Sequence, residues 1–113
     1  MTMRRFILEM GAGTDLHGGD YTKAAKRAID DAIRHSSIGF ARALGRDPET
    51  MQVDVTIGVQ QPDAVDAEAL AAGLPHGQVS VKVVKGGLDV PDDGAGDKAV
   101  IASAAIEVWM EGA

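Results

Sequence analysis

Apolar and polar residues alternate without a break over residues 51–60. Met51, Val53, Val55, Ile57 and Val59 are interleaved with Gln52, Asp54, Thr56, Gly58 and Gln60. Such alternation predicts a strand with one buried face, here stopped by Pro62. Similar patterns predict three more strands. Residues 4–10 place Phe6, Leu8 and Met10 on one face and Arg5, Ile7 and Glu9 on the other. Residues 78–85 set Val79, Val81 and Val83 against Ser80 and Lys82, and residues 99–110 line up Val100, Ala102, Ala104, Ile106 and Val108. Over residues 20–44 the spacing becomes helical. Ala25, Ala28, Ile29, Ala32, Ile33, Ser36, Phe40 and Leu44 form one stripe, opposite Lys23, Lys26, Arg27, Asp30 and Arg34. Asp20 suits the N-cap, Gly45 and Pro48 close the helix, and Gly39 beside Ser36 and Ser37 marks a kink or frayed end. Residues 66–72 predict a short second helix before Gly73 and Pro75. The glycine- and aspartate-rich stretch Gly86–Lys98 reads as a long loop.

The order β-α-β-α-β-β predicts a single α+β domain over residues 1–113: a four-stranded mixed sheet with one long helix on one face. The first βαβ unit should be a right-handed crossover between parallel strands. The helix-free face would then mix Glu9, Asp54, Thr56, Lys82, Ser103 and Glu107 with Ile7, Val84, Ile101 and Trp109. Burying that apolar area against another subunit predicts a homo-oligomer. The plainer reading is a sheet with one solvated face.

Composition narrows the classes of function. The formal net charge of −6 speaks against nucleic acid and against anionic membranes. With no cysteine there is no disulfide framework, thiol nucleophile or thiolate metal site. The first residues read as a strand rather than a signal peptide, and no apolar run is long enough for a membrane span, so a cytoplasmic protein is expected. Aromatic residues make up only 4%, which implies a core of small and β-branched side chains with close backbone approach.

Candidate chemistry concentrates in residues 11–23, GAGTDLHGGDYTK. The segment lies at a strand-to-helix turn, where α/β folds commonly place ligands. His17 sits among glycines and carboxylates, and a neighbouring carboxylate would fix one tautomer, as a general base needs. His17, Asp15 and Asp20 are therefore the candidate catalytic residues. Lys23 stands in the first helical turn, against the helix dipole, and Lys85 precedes Gly86-Gly87 at a strand end. Both are candidate substrate-binding cations. Gly11 and Gly13 are further candidate substrate-binding residues through a phosphate-cradle reading, although the G-x-G-x-x-G and GK[ST] spacings are absent and the alternative is a tight loop. Asp15 and His17 alone are too few ligands to assign a metal, and no cofactor is assigned. His35 and His76 read as surface residues. Asp89, Asp92, Asp93 and Asp97 lack EF-hand spacing, and the loop that carries them reads as either a lid over the site or simple disorder.

Gly11, Gly13, Asp15-Leu16-His17-Gly18, Asp20, Thr22-Lys23-Ala24-Ala25, Arg27-Ala28 and Asp31-Ala32-Ile33 follow the pattern GxGxDLHGxDxTKAAxRAxxDAI. With VDVTIGV at 53–59, VVKGGLDVP at 83–91, GDK at 96–98 and AAIEV at 104–108, the chain resembles the Lin-type family, short bacterial conserved hypothetical proteins of unknown function. The resemblance implies no activity. The strand order also resembles the chorismate-mutase-like and RidA-like architecture, which implies sites between subunits. A fold-level likeness to single units of ring-opening cyclic amide hydrolases carries no chemistry over, because no matching serine–lysine motif is present. Two functions are carried forward. One is a small-molecule site at a subunit interface, with acid–base chemistry on a small polar or cyclic compound. The other is a non-catalytic oligomeric module in which the 11–23 loop serves assembly. Whether the protein is an enzyme stays open at this stage.

Overall fold

A computed structural model describes residues 2–34, 45–74, 77–92 and 96–112. Strand β1 is Met3–Asp15, helix α1 Tyr21–Arg34, β2 Gln52–Val59, α2 Ala67–Ala72, β3 Gln78–Lys85, β4 Leu88–Pro91 and β5 Lys98–Glu111. The expected continuation of the long helix over 35–44, with Ser36, Gly39, Phe40 and Leu44, lies outside the described residues, as do His35, His76 and Asp93.

The fold is α+β, with five strands rather than four in a mixed sheet. Their order is β1-β5-β2-β3, with β4 beside the start of β5. β5 is antiparallel to β1, β2 and β4, and β2 is parallel to β3. The strands joined by α1 are therefore parallel, as expected, but they are not neighbours, because β5 enters between them.

The fifth strand comes from the segment read as a loop. Leu88 and Val90 alternate around Asp89, and β4 pairs with Lys98–Ile101 along the edge of β5 that β2 vacates after Gly58. Gly87 makes the crossing. Its φ is +64°, and a Cβ there would stand 2.1 Å from the Ile101 carbonyl oxygen. The Asp92 N–H donates to the Asp97 carbonyl at 2.9 Å and closes the β4–β5 hairpin. Residues 88–91 of the stretch expected to be a mobile lid are thus a built-in strand of the sheet.

α1 packs on one face of the sheet. Val53, Val55, Ile57 and Val59 of β2 and Val100, Ala102, Ala104, Ile106, Val108 and Met110 of β5 turn toward it and are buried, as their alternation predicts. In β1 Phe6 packs against the core as expected, but beyond the bulge the expected faces are reversed. Ile7 is partly buried against the core, while Leu8 and Met10 point to the open side, Met10 remaining 65% exposed. The reason is the helix. Ala24, Ala28 and Ala32 recur every fourth residue and are fully buried, so α1 lies very close to β1. Beneath them only Gly11 and Gly13 fit. A Cβ on Gly13 would meet the Ala28 amide nitrogen at 2.3 Å and the Ala24 carbonyl oxygen at 2.4 Å. With these glycines inward, the pleat sends Leu8 and Met10 outward. A bulge between Arg5 and Ile7 resets the register near the start of the strand.

The outer edge of β1 is capped by α1 itself. Asp31 Oδ2 accepts from the Ala12 N–H at 3.0 Å, and Arg27 Nη1 donates to the Thr14 carbonyl at 2.7 Å. This blunts an edge that would otherwise be open to strand pairing. Asp66 caps α2 by accepting from the Ala69 N–H. Among the described residues, no helix is long and apolar enough to cross a membrane.

Candidate functional site

The ends of β1 and β2, the starts of α1 and β5, and strand β4 meet at one end of the sheet. The turn from β1 into α1 uses Gly18 and Gly19, both at positive φ. Two carboxylates fasten it. Asp15 is almost fully buried, and its Oδ2 accepts from the Asp20 N–H at 2.9 Å. Lys23 Nζ and Arg27 Nη1 approach its other oxygen at 3.8 and 3.9 Å. On the far side of the turn, Asp97 Oδ1 accepts from the Gly18 and Lys98 N–H groups, both at 2.8 Å. Asp20 caps α1 as expected, its Oδ1 accepting from the Lys23 N–H at 3.0 Å.

Behind this turn lies a polar cluster that sequence reasoning missed. Tyr21, the first residue of α1, is 5% exposed. Its hydroxyl donates to Asp89 Oδ2 on β4 and accepts from Lys98 Nζ on β5 at 2.7 Å. The ammonium stands 3.6 Å from Asp89 Oδ2 and 4.7 Å from the Tyr21 ring centroid. Among the described residues, Asp89 Oδ1 is buried without a hydrogen-bond partner. The lysine chain runs under the turn, within 2.9 Å of where a Gly19 Cβ would sit. A signal was present in the sequence: Tyr21 lies four residues before Ala25 and heads the apolar stripe of α1. Nothing local, however, links it to Asp89 and Lys98.

Contacts across elements move two proton affinities. The N–H groups of Gly18 and Lys98, and secondarily His17, hold the Asp97 carboxyl below its ordinary 3.8. The Tyr21 hydroxyl and, after it, Asp89 hold the Lys98 ammonium above 10.5. Lys98 therefore favours the fold at every pH below its ordinary value, and that contribution is lost as pH rises through the raised one. Asp97 behaves in the opposite sense. Its contribution is present above 3.8 and disappears as pH falls through the lowered value. We expect the stability gap between wild type and Asp97→Asn, measured by urea melts, to be widest near neutral pH and to narrow below that value. A gap that stays constant down the acid limb would show that the carboxylate's charge does no work in the fold.

The sequence-derived candidates separate in three dimensions. His17 is at the rim, its side chain 86% exposed and its Nδ1 3.7 Å from Asp97 Oδ2. Asp15 lies inside, so the two do not share an open site. Lys23 is half exposed and turned toward Asp15. Lys85 ends β3, the opposite edge strand, with β2 and β5 between it and β1. Gly11 and Gly13 are within β1 under α1, with no room for a ligand. The phosphate-cradle reading of these glycines fails on this packing. A shallow groove between α1 and α2, lined by Ile29, Ile33, Leu70 and Leu74, has among the described residues only the Lys26–Asp30 ion pair for charge.

The fold and this end of the sheet define a class: a two-layer α+β protein with a helix-covered mixed sheet and a lysine–tyrosine–aspartate cluster where α1 meets β4 and β5. The chain belongs to the Lin0512 family of conserved hypothetical proteins, whose profile matches residues 5–108. A crystal structure of an FtsZ-like protein of unknown function from Nostoc punctiforme PCC 73102 is similar over 99% of both chains, at 35% sequence identity and a TM-score of 0.86. No curated protein matches the chain.

Proposed function

We propose that this protein binds a small polar compound at the Tyr21–Lys98–Asp89 end of the sheet and carries out acid–base chemistry on it, as a homo-oligomer with the site near a subunit boundary. The observation that carries this reading is the buried, unpartnered Asp89 Oδ1 beside a lysine ammonium already engaged with a tyrosine hydroxyl. A carboxylate oxygen taken from water without a donor costs free energy, and a fold retains such a group where it has work to do. Lys98 would anchor an electronegative atom of the compound. The Tyr21 hydroxyl, between an ammonium and a carboxylate, would carry the proton. His17 at the rim is free to approach a bound molecule, whereas Asp15, Asp20 and Asp97 position the turn. Lys23 and Lys85 would meet the compound only at its periphery. The competing reading is a non-catalytic oligomeric module. It draws support from the same turn, because both Asp15 and Asp97 are engaged with backbone N–H groups.

A thermal-shift screen of metabolites against wild type, Lys98→Met and His17→Ala separates the two. A true ligand at a hundredfold excess over its Kd contributes ~2.7 kcal/mol, a shift on the order of 10 °C for a chain of this size. That shift should vanish in Lys98→Met and weaken in His17→Ala. Unliganded His17→Ala should melt within ~3 °C of wild type, because an exposed turn residue contributes little to the core. Hits that stabilise wild type and Lys98→Met equally would remove the site, and a core-like loss of stability in His17→Ala would make that histidine structural.

A further inference from the structure

We infer that the helix-free face of the sheet is the docking surface for a second copy of this chain. Among the described residues, every exposed large apolar side chain that belongs to a strand lies on that face. Met3, Leu8 and Met10 come from β1, Ile101 from β5, Val84 from β3, and Leu88 and Val90 from β4. The register sets them along one face. Leu8 stands beside Glu107, Met10 beside Ala105, and Leu88 beside Ile101, while Val84 flanks Gly58, which pairs with Ser103. These side chains are each 36–65% exposed. They leave roughly 500 Å² of apolar surface, near the top of what a monomer tolerates. Two such faces would bury on the order of 1,000 Å² of apolar area before their polar rows are counted, which reaches the scale of a stable interface.

The charges on the face fit a second copy better than other occupants. The polar rows hold both signs: Arg5 paired with Glu107 at 3.1 Å, Asp54 accepting from Gln52 at 2.8 Å, and Lys82 exposed at the surface. A mixed surface of this kind can complement itself, as a closed homo-oligomer requires. An anionic membrane would repel a chain of net charge −6. Pairing through the β1 edge is blunted instead by Asp31 and Arg27. The inference also deepens the proposed site, and it rests on that reading only for this link. Strand β4 is four residues long and carries Leu88 and Val90 on the docking face, while Asp89 turns to the other side, toward Tyr21 and Lys98. A copy seated on β4 would hold the strand that positions Asp89.

The test is sedimentation velocity on the full chain at micromolar concentration, with Met10→Glu, Leu88→Glu and, as a control on the helix side, Asp63→Lys. Wild type and Asp63→Lys should sediment as an oligomer, and the two face variants as monomers with unchanged far-UV circular dichroism. A monomeric wild type, or an unaltered oligomer in Met10→Glu, overturns the inference. A monomeric wild type that binds phosphatidylcholine vesicles would reassign the face to a membrane. Should the glutamate variants fail to fold, Met10→Cys gives a second readout, since the chain has no other thiol. Maleimide should label it at least tenfold more slowly in the oligomer than in denaturant, and equal rates overturn the proposal. Lys98→Met should lose its ligand response yet remain an oligomer, so failure of the site and failure of the interface give different results.

Discussion

Gly13→Ala is expected to destabilise the protein by about 3 kcal/mol or more, a large share of a small domain's total. The added methyl would lie 2.3 Å from the Ala28 nitrogen and 2.4 Å from the Ala24 oxygen, both backbone atoms of α1. A flexible side chain could swing aside, but a helix can only lift away. Lifting it would open the contact of Ala24, Ala28 and Ala32 with β1 and part of the core behind it. Gly11→Ala should behave alike, with contacts of 2.5 and 2.6 Å to Ala32 and Ala28 backbone. Gly58→Ala is the contrasting case. Its Cβ would meet nothing closer than the Gly86 Cα at 3.4 Å, an ordinary contact. There the loss of unfolded-chain entropy should leave stability unchanged or raise it by about 0.5 kcal/mol. Urea melts of the three variants decide the matter. A Gly13→Ala protein as stable as Gly58→Ala would mean that α1 does not lie this close to β1.

Asp15→Ala is expected to cost about 2–3 kcal/mol, with Asp15→Asn costing roughly half as much. The side chain is 5% exposed, and its Oδ2 holds the Asp20 N–H at the entrance to α1. Alanine leaves that donor without its acceptor and a void beneath the turn. Asparagine keeps an acceptor and loses only the attraction of Lys23 and Arg27, which is screened because both are about half exposed. The ordering wild type, Asn, Ala in thermal melts is therefore the expected signature of a residue that positions the turn. If Asp15→Ala melts as wild type does, Asp15 is not needed for the fold, and its burial beside two cations would point to a role in the chemistry.

Much of the architecture was legible along the chain because single elements carry it. The alternation in β2 and β5 specified which of their faces is buried. The stripe on α1, the Asp20 cap and the short helix α2 were equally local. Motif resemblance placed the chain in its family, and that placement holds over residues 5–108. The site was less legible. The pattern marks residues 11–23 as a place where chemistry is exposed, yet Gly11 and Gly13 make room for the helix, and Asp15 and Asp20 serve the turn. The cluster with an unpartnered carboxylate oxygen draws one residue each from α1, β4 and β5, and the residues at its extremes, Tyr21 and Lys98, are 77 positions apart.

Local pattern by itself determined the elements whose two faces differ in polarity, because a period of two or of 3.6 needs only one strand or one helix to express it. It could not orient β1, where Phe6, Leu8 and Met10 look like a core face. Tertiary structure decided that question through the close approach of α1, which admits glycine and excludes side chains of ordinary size. Tertiary structure also inserted β5 between the parallel strands and drew β4 out of an apparent loop. Those choices depend on which edges find hydrogen-bond partners once the sheet assembles, and an edge has no partner until distant parts of the chain arrive beside it.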